Sequence, residues 1–245
     1  MPRVIAVANQ KGGVAKTTST HALAAALVER GRSVLAIDLD PQASLTFAMG
    51  VEDEPSMHEV MLGKATIADI LYESGGIDLA PSSIDLAGAE MHLLTRTGRE
   101  YVLERALRPV DGYDVVFIDC PPSLGILTIN ALTAANEVLV PLQAETLSRR
   151  GVDQLLETVG DVRQFTNPHL TVTGVIVTMF DSRTRHSQDQ LQALETDERF
   201  RVFHPPIPKS IRVAEAPGRG LSVLGHARSH PAAAAYRQIA EALDA

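Results

Sequence analysis

Apolar runs of about five residues alternate along the chain with longer stretches whose apolar positions recur at helical spacing. Val4-Ile5-Ala6-Val7-Ala8 is an unbroken apolar run, short enough for a buried strand, and residues 19–29, rich in Ala and Leu, read as a helix closed by Gly31. Further buried strands are predicted over residues 33–37, 77–81, 114–119, 137–141 and 172–179. Helices are predicted over residues 56–62, 67–71, 126–135, 145–163, 188–194 and 232–243, with two more pieces in 83–109 broken near Gly98. Met91, Leu93 and Leu94 read as core. Strands alternating with helices predict an α/β fold, a doubly wound and mostly parallel sheet with helices on both faces, in one domain over residues 1–245.

Several of these strands end on polar residues, and open α/β sheets place their ligands at the carboxyl ends of strands. After the first comes Asn9-Gln10-Lys11-Gly12-Gly13-Val14-Ala15-Lys16-Thr17-Thr18. A strand, a glycine loop and a helix opening on Lys-Thr form a phosphate cradle. Backbone N–H groups and the helix N-terminus face the anion, and a lysine neutralises the terminal phosphates. Gly12 and Gly13 allow close approach, and Thr17 places its hydroxyl on a phosphate-bound Mg²⁺. A plain glycine turn is the competing reading. The two lysines, the paired threonines and the flanking strand and helix together argue against it.

The second strand runs into Asp38-Leu39-Asp40-Pro41-Gln42. Two carboxylates one residue apart share a side of an extended strand, so one can organise Mg²⁺ through water while the other orients an attacking water. The run 114–119 ends on Asp119, followed by Cys120-Pro121-Pro122, which is a buried strand delivering a carboxylate to a Mg²⁺ shell. No base is set beside Cys120, which reads as a small buried thiol. His21, His58 and His92 show no metal-ligand spacing and read as ordinary surface or packing residues.

The usual G-x-x-x-x-G-K-[ST] pattern fails here, because its glycine positions hold Gln10 and Ala15. K-G-G-x-x-K-T-T fits instead and resembles the deviant Walker A motif of the ParA/MinD group of P-loop ATPases. Many members of the group have glycine where this chain has Ala15, a mild departure expected to be tolerated. Asp38 to Gln42, residues 117–122 and residues 205–217 resemble further landmarks of the ParA family in the same order, so the resemblance covers essentially the whole chain.

The resemblance implies an ATPase that converts ATP and water to ADP and phosphate, depends on Mg²⁺ and is weak without its partner. Lys11 would reach the ATP of the other subunit in a sandwich homodimer, beside Lys16 in its own loop. Asp40 would support hydrolysis, with Thr17, Asp38 and Asp119 around the metal. Met179 and Pro208 would belong to the adenine side, with Gly12, Gly13, Val14, Ala15, Lys16, Thr17 and Thr18 on the phosphates. ParA-like dimers bind double-stranded DNA without sequence preference and are released when a ParB-type centromere-binding protein stimulates hydrolysis. Arg183 and Arg212 match basic DNA-contacting positions of the Soj branch, with Lys209, Arg185 and Arg219 as weaker candidates.

Composition sharpens this picture in three places. Net charge is −8, yet residues 183–228 carry eight basic against five acidic residues, a local +3 that leaves −11 elsewhere. A single cysteine leaves no disulfide framework and argues against iron–sulfur members of the superfamily. No apolar run approaches the ~18 residues of a membrane span and no basic-then-apolar leader is seen, so a cytoplasmic, nucleoid-associated protein is expected.

The alternative is a MinD-like, membrane-associated positioning ATPase, which anchors through a basic amphipathic C-terminal helix. Residues 232–245 hold one arginine and two acids, so that alternative and membrane binding are disfavoured. A metabolic ATP-dependent ligase is a third reading, for which no substrate motif is found. The chain starts directly on its first strand, so no sequence-specific operator binding is expected.

Overall fold

In the computed structural model, which describes residues 2–51, 55–144 and 149–245, the first apolar run becomes strand β1 (Arg3–Val7) and the Ala/Leu-rich stretch becomes helix α1 (Lys16–Glu29). Strand β2 (Val34–Asp38) and the short helices α2 (Ser44–Ala48) and α3 (Met57–Leu62) follow. Next come β3 (Tyr72–Ser74), β4 (Ile77–Ala80), α4 (Leu86–Leu93) and α5 (Val102–Leu107). The second half runs β5 (Val115–Asp119), α6 (Ile126–Ala134), β6 (Glu137–Gln143), α7 (Arg149–Phe165), β7 (Thr171–Thr178) and α8 (Arg185–Glu195). It closes with β8 (Val202–Phe203), α9 (Ile211–Glu215), α10 (Val223–His226) and α11 (Pro231–Asp244).

The strands form one eight-stranded sheet in the order β3-β4-β2-β5-β1-β6-β7-β8, parallel throughout except for the β3–β4 pair. Parallel strands covered on both faces need apolar residues at every position, which is why the central runs do not alternate with polar residues. Successive residues still go to different cores. Val4, Ala6, Val116 and Ile118 face the layer containing α3 to α8, whereas Ile5, Val7, Val115 and Phe117 face α1, α10 and α11. The register pairs Val7 and Asp38 with Asp119, so three strand ends are brought level at the centre of the sheet.

The elements missed in the sequence are short: α2, β3, β8, α9 and α10 span two to five residues each, too few to display a period. The helix expected over 67–71 is a 3₁₀ turn at Ile67–Ile70. The helix expected over 145–163 is seen as α7, and residues 145–148 lie outside the described residues. One core assignment is corrected. Leu93 is buried, but Met91 is 67% and Leu94 49% exposed, because α4 turns the side of Leu86, Ala89 and Leu93 inward and leaves the opposite side to solvent.

Helix α11 lies on α1. It buries Ala232, Ala233, Tyr236, Ile239, Ala240 and Leu243, and its end is fixed where Asp244 accepts from Arg30 and Arg32 at 3.1 and 2.8 Å. Among the described residues no helix is long and apolar enough to cross a membrane.

Candidate functional site

A cavity of about 970 Å³ opens at the carboxyl ends of the central strands, between the glycine loop, the turn after β2 and the segment from Met179 to Val223. Its floor is the loop from β1 to α1. Asn9 ties the start of that loop to the sheet: its side-chain N–H donates to the carbonyl of Pro141 at 2.7 Å, and its side-chain oxygen accepts from the N–H of Lys11 at 2.9 Å. Thr178, at the tip of β7, donates to the carbonyl of Val14 at 3.1 Å, so Val14 is buried and supports the loop without lining the cavity. Gly13 has φ 73°, which favours glycine. A Cβ on Gly12 would meet no protein atom within 4 Å, so nothing in the chain itself crowds that position, whereas a phosphate lying close to the backbone would.

Ala15 is the N-cap of α1 with φ 66°, a left-handed conformation that costs an L-residue about 1–2 kcal/mol. The departure from glycine noted in the sequence therefore falls on a position where the backbone itself favours glycine. Ala43 and Met179 share this conformation, and among the described residues these are the three non-glycine residues with positive φ. Ala15 and Met179 line the cavity, while Ala43 lies between the lining residues Gln42 and Ser44. Backbone strain is concentrated at this site, as it commonly is where a ligand is clamped.

Gly12, Gly13, Ala15, Lys16, Thr17 and Thr18 line the cavity, and Lys11 is exposed outside it. Lys16 is buried. Its ammonium donates to the Lys11 carbonyl at 3.3 Å, and burial lowers its pKa against the opposing pull of Asp119. The Thr17 hydroxyl donates to Asp119 at 2.6 Å, and Thr20 donates to the other carboxylate oxygen at 3.3 Å. Burial, then the neighbouring Asp38, pushes the Asp119 pKa up.

Strand β2 stops at Asp38, so Asp40 belongs to the following turn and the two carboxylates do not share a side of one strand. Asp40 lines the cavity and accepts from the N–H of Gln42 at 2.9 Å. Asp38 lies behind it, fully buried, accepting from the Thr46 N–H and hydroxyl at 2.8 Å each and from the N–H of Asp40 at 3.1 Å. Among the described residues no three His, Cys, Asp or Glu side chains cluster to cage a metal. A hydroxyl meeting a carboxylate beside a glycine loop instead fits Mg²⁺, which keeps waters and shares its shell with phosphates.

The opposite wall is built where the chain leaves β7. The N–H of Phe180 donates to the Ile207 carbonyl at 2.9 Å, and Lys209 donates back to Phe180 at 3.0 Å, which sets Met179 beside Pro208 at the cavity. Lys209, expected at DNA, lines the cavity, and its charge helps lower the pKa of Asp181. Arg183 is exposed and donates to both oxygens of Asp181 at 2.9 and 2.8 Å, which holds that carboxyl near a pKa of about 2. Arg212 is exposed and donates to Glu215 at 3.2 Å. Arg185 opens α8, and Arg219 lies in the 3₁₀ turn Pro217–Arg219; both are exposed.

Tyr236 and His21 are among the cavity residues not singled out in the sequence. Tyr236 of α11 reaches the cavity with its hydroxyl 3.1 Å from that of Ser19, and nothing local in its sequence indicates this. His21, read as an ordinary histidine, lines the cavity four residues after Thr17. Helical spacing from Thr17 was the available signal, since i and i+4 share a face.

Comparison with known proteins agrees with this arrangement. A family model described as an AAA domain matches residues 2–172. The chromosome-partitioning ATPase Soj of Thermus thermophilus is 43% identical over 239 residues, covering 98% of this chain and 94% of the relative. The sporulation initiation inhibitor protein Soj of Bacillus subtilis is 40% identical over 230 residues, 91% of each chain. Among solved structures, one described as cobyrinic acid a,c-diamide synthase from Mycobacterium smegmatis, with a bound ATP analog and magnesium, is 50% identical with a TM-score of 0.88, covering 99% of this chain and 94% of that one. On the strength of these matches, with the P-loop and the Asp40 turn lining one cavity and Asp119 bonded to Thr17 of that loop, the chain belongs to the ParA/Soj family of partitioning ATPases.

Proposed function

We propose that the chain is an ATP-driven partition switch. It binds ATP with Mg²⁺, pairs with a second copy across the nucleotide, and in that state holds double-stranded DNA without sequence preference. Hydrolysis, stimulated by a ParB-type partner on the cargo DNA, releases it. The observation that carries the reading is the meeting of the Thr17 hydroxyl with Asp119 at 2.6 Å beside an open glycine loop. The M. smegmatis structures with ADP and magnesium, and with an ATP analog and magnesium, support the nucleotide and the ion.

In this reading the backbone N–H groups of residues 12–17 and the N-terminus of α1 take the phosphate oxygens, and Lys16 supplies a buried positive charge. Bound Mg²⁺, held by Thr17 with Asp119 beyond it, would supply charge neutralisation at the terminal phosphates. Asp40 faces the cavity and orients the attacking water, while Asp38 fixes the turn that carries it. Lys11, exposed on the loop, is the residue for the second copy's nucleotide. Met179 and Pro208 wall the adenine.

Arg183, Lys209 and Arg212 are the DNA contacts of this proposal. The ion pairs of Arg183 and Arg212 do not forbid it: exposed pairs are worth about 0–1 kcal/mol, so a DNA phosphate can replace Asp181 or Glu215 at little cost. A membrane-anchored reading finds less support, since the apolar side of α11 is buried against the rest of the fold. The synthase name of the M. smegmatis relative favours a second reading, an ATP-dependent ligase.

The test is binding to a random-sequence duplex with ADP, with ATP, and with ATP on Asp40→Ala, across salt. Binding that needs ATP, strengthens in the variant and falls steeply with salt is expected. Absence of DNA binding in every nucleotide state, with ATP turnover that instead requires cobyrinic acid, would replace the partition reading with the ligase.

A further inference from the structure

Among the described residues, His21 is the buried polar side chain of the cavity that the protein itself leaves without a partner. It is 7% exposed and makes no hydrogen bond among the described residues. Neither ring nitrogen is among the sealed-off polar atoms, so the ring opens onto the cavity it lines. Burial, with no countervailing partner, lowers its pKa to about 4 and keeps the ring neutral, with one donor and one acceptor to offer.

Groups that the neighbouring helices bring to the cavity are committed or apolar. Tyr236 and Ser19 share a hydrogen bond, and Ser222 caps α10 by accepting from the N–H of Gly225 at 3.3 Å. Helices α2 and α10, packed on α1, line the cavity with Phe47, Ala48 and Val223. A neutral ring among such neighbours suits an uncharged polar group and not a phosphate. The position along the site says which group. The glycine loop and Thr17 hold the phosphate end, and Met179 with Pro208 holds the base end. His21 stands one helical turn beyond Thr17 on α1 and lines the same cavity as Met179 and Pro208, the two ends that a nucleotide's sugar would join.

Building on the nucleotide reading above, we propose that His21 hydrogen-bonds a ribose hydroxyl of the bound nucleotide and thereby selects the nucleoside. A site that pairs a substrate hydroxyl rejects the analogue lacking it, because the protein group is then left buried and alone.

The experiment is calorimetric binding of ATP, 2′-deoxy-ATP and 3′-deoxy-ATP to the wild-type chain, His21→Leu and His21→Gln. In the wild type one deoxy analogue should bind about tenfold more weakly than ATP. His21→Leu should bind ATP about tenfold more weakly and no longer distinguish that analogue, while His21→Gln, which keeps a donor and an acceptor, restores part of the preference. The wild-type comparison needs no substitution and so does not depend on the variants folding. Tight ATP binding with equal affinity for both deoxy analogues overturns this inference alone. A preference that persists in His21→Leu does the same. Failure of the wild type to bind any of the three overturns the nucleotide reading with it.

Discussion

On the side of the cavity proposed for phosphate, polar side chains are paired inside the chain: Thr17 and Thr20 with Asp119, Thr46 with Asp38, Asn9 with Pro141. On the side proposed for the base, the segments around Arg183 and Arg212 are exposed, organised in turns and a five-residue helix, and their charges are held by neighbours two or three residues away. The first side is preorganised by strand ends and a helix N-terminus that cannot shift without disturbing the core. The second is surface that can exchange one partner for another. Substitutions on the phosphate side should therefore cost chemistry or stability, and those on the base side should cost affinity for a partner while the fold barely responds.

The largest effect should come from Asp119→Asn. Removing the carboxylate that Thr17 faces should lower ATP hydrolysis at least about a hundredfold, measured as phosphate release. The melting temperature should stay level or rise, because a buried charge next to Asp38 is removed. A variant that unfolds, or one that still turns over, would erase the distinction between a side built for chemistry and one built for packing.

His21 gives the next effect, through acid. Its folded pKa is near 4 against an ordinary 6.5, so the folded state binds fewer protons than the unfolded one between those values. Stability is fully present above pH 6.5 and is lost as pH falls toward 4, by roughly 3 kcal/mol from this residue. Denaturant melts of the wild type and His21→Leu at pH 7 and pH 4.5 should show the wild type losing more. Parallel losses would mean that the ring is not held neutral by burial.

Ala15→Gly should stabilise the nucleotide-free protein by about 1 kcal/mol, since it relieves a left-handed alanine at the start of α1. A lower midpoint would show that the alanine methyl contributes packing that outweighs the strain. The smallest effect on the fold is expected at Arg183→Ala, within about 0.5 kcal/mol. The same substitution should weaken DNA binding and reduce the slope of log affinity against log salt by about 1. An unchanged slope would take Arg183 out of the DNA surface.

The same asymmetry explains what could be read in the sequence. The phosphate side was legible because its chemistry rides on contiguous residues: Lys11 to Thr18 on one loop, Asp119 at the end of an apolar run. Even there, the division between Asp38 and Asp40 was hidden, because it depends on β2 ending one residue after Ile37. Met179 and Pro208 could be found only as parts of longer patterns, since their meeting relies on the hydrogen bonds between Phe180, Ile207 and Lys209. Tyr236 was invisible, as it enters the site only through the packing of α11 on α1. Met91 and Leu94 failed for a related reason: apolar character shows that a residue could be buried, and the helix's rotation decides whether it is.

The Ser19–Tyr236 hydrogen bond joins residues 217 positions apart, and that separation sets an order of events during synthesis. The glycine loop leaves the ribosome early, yet the wall of its cavity is completed by Tyr236 of α11, 217 positions after Ser19. Until then α1 lacks its packing partner α11, and β1 must wait for both β5 and β6 before it is enclosed. An enclosed cavity thus reports that the chain has been made through α11: a copy ending before Tyr236 would carry the loop sequence without the enclosure.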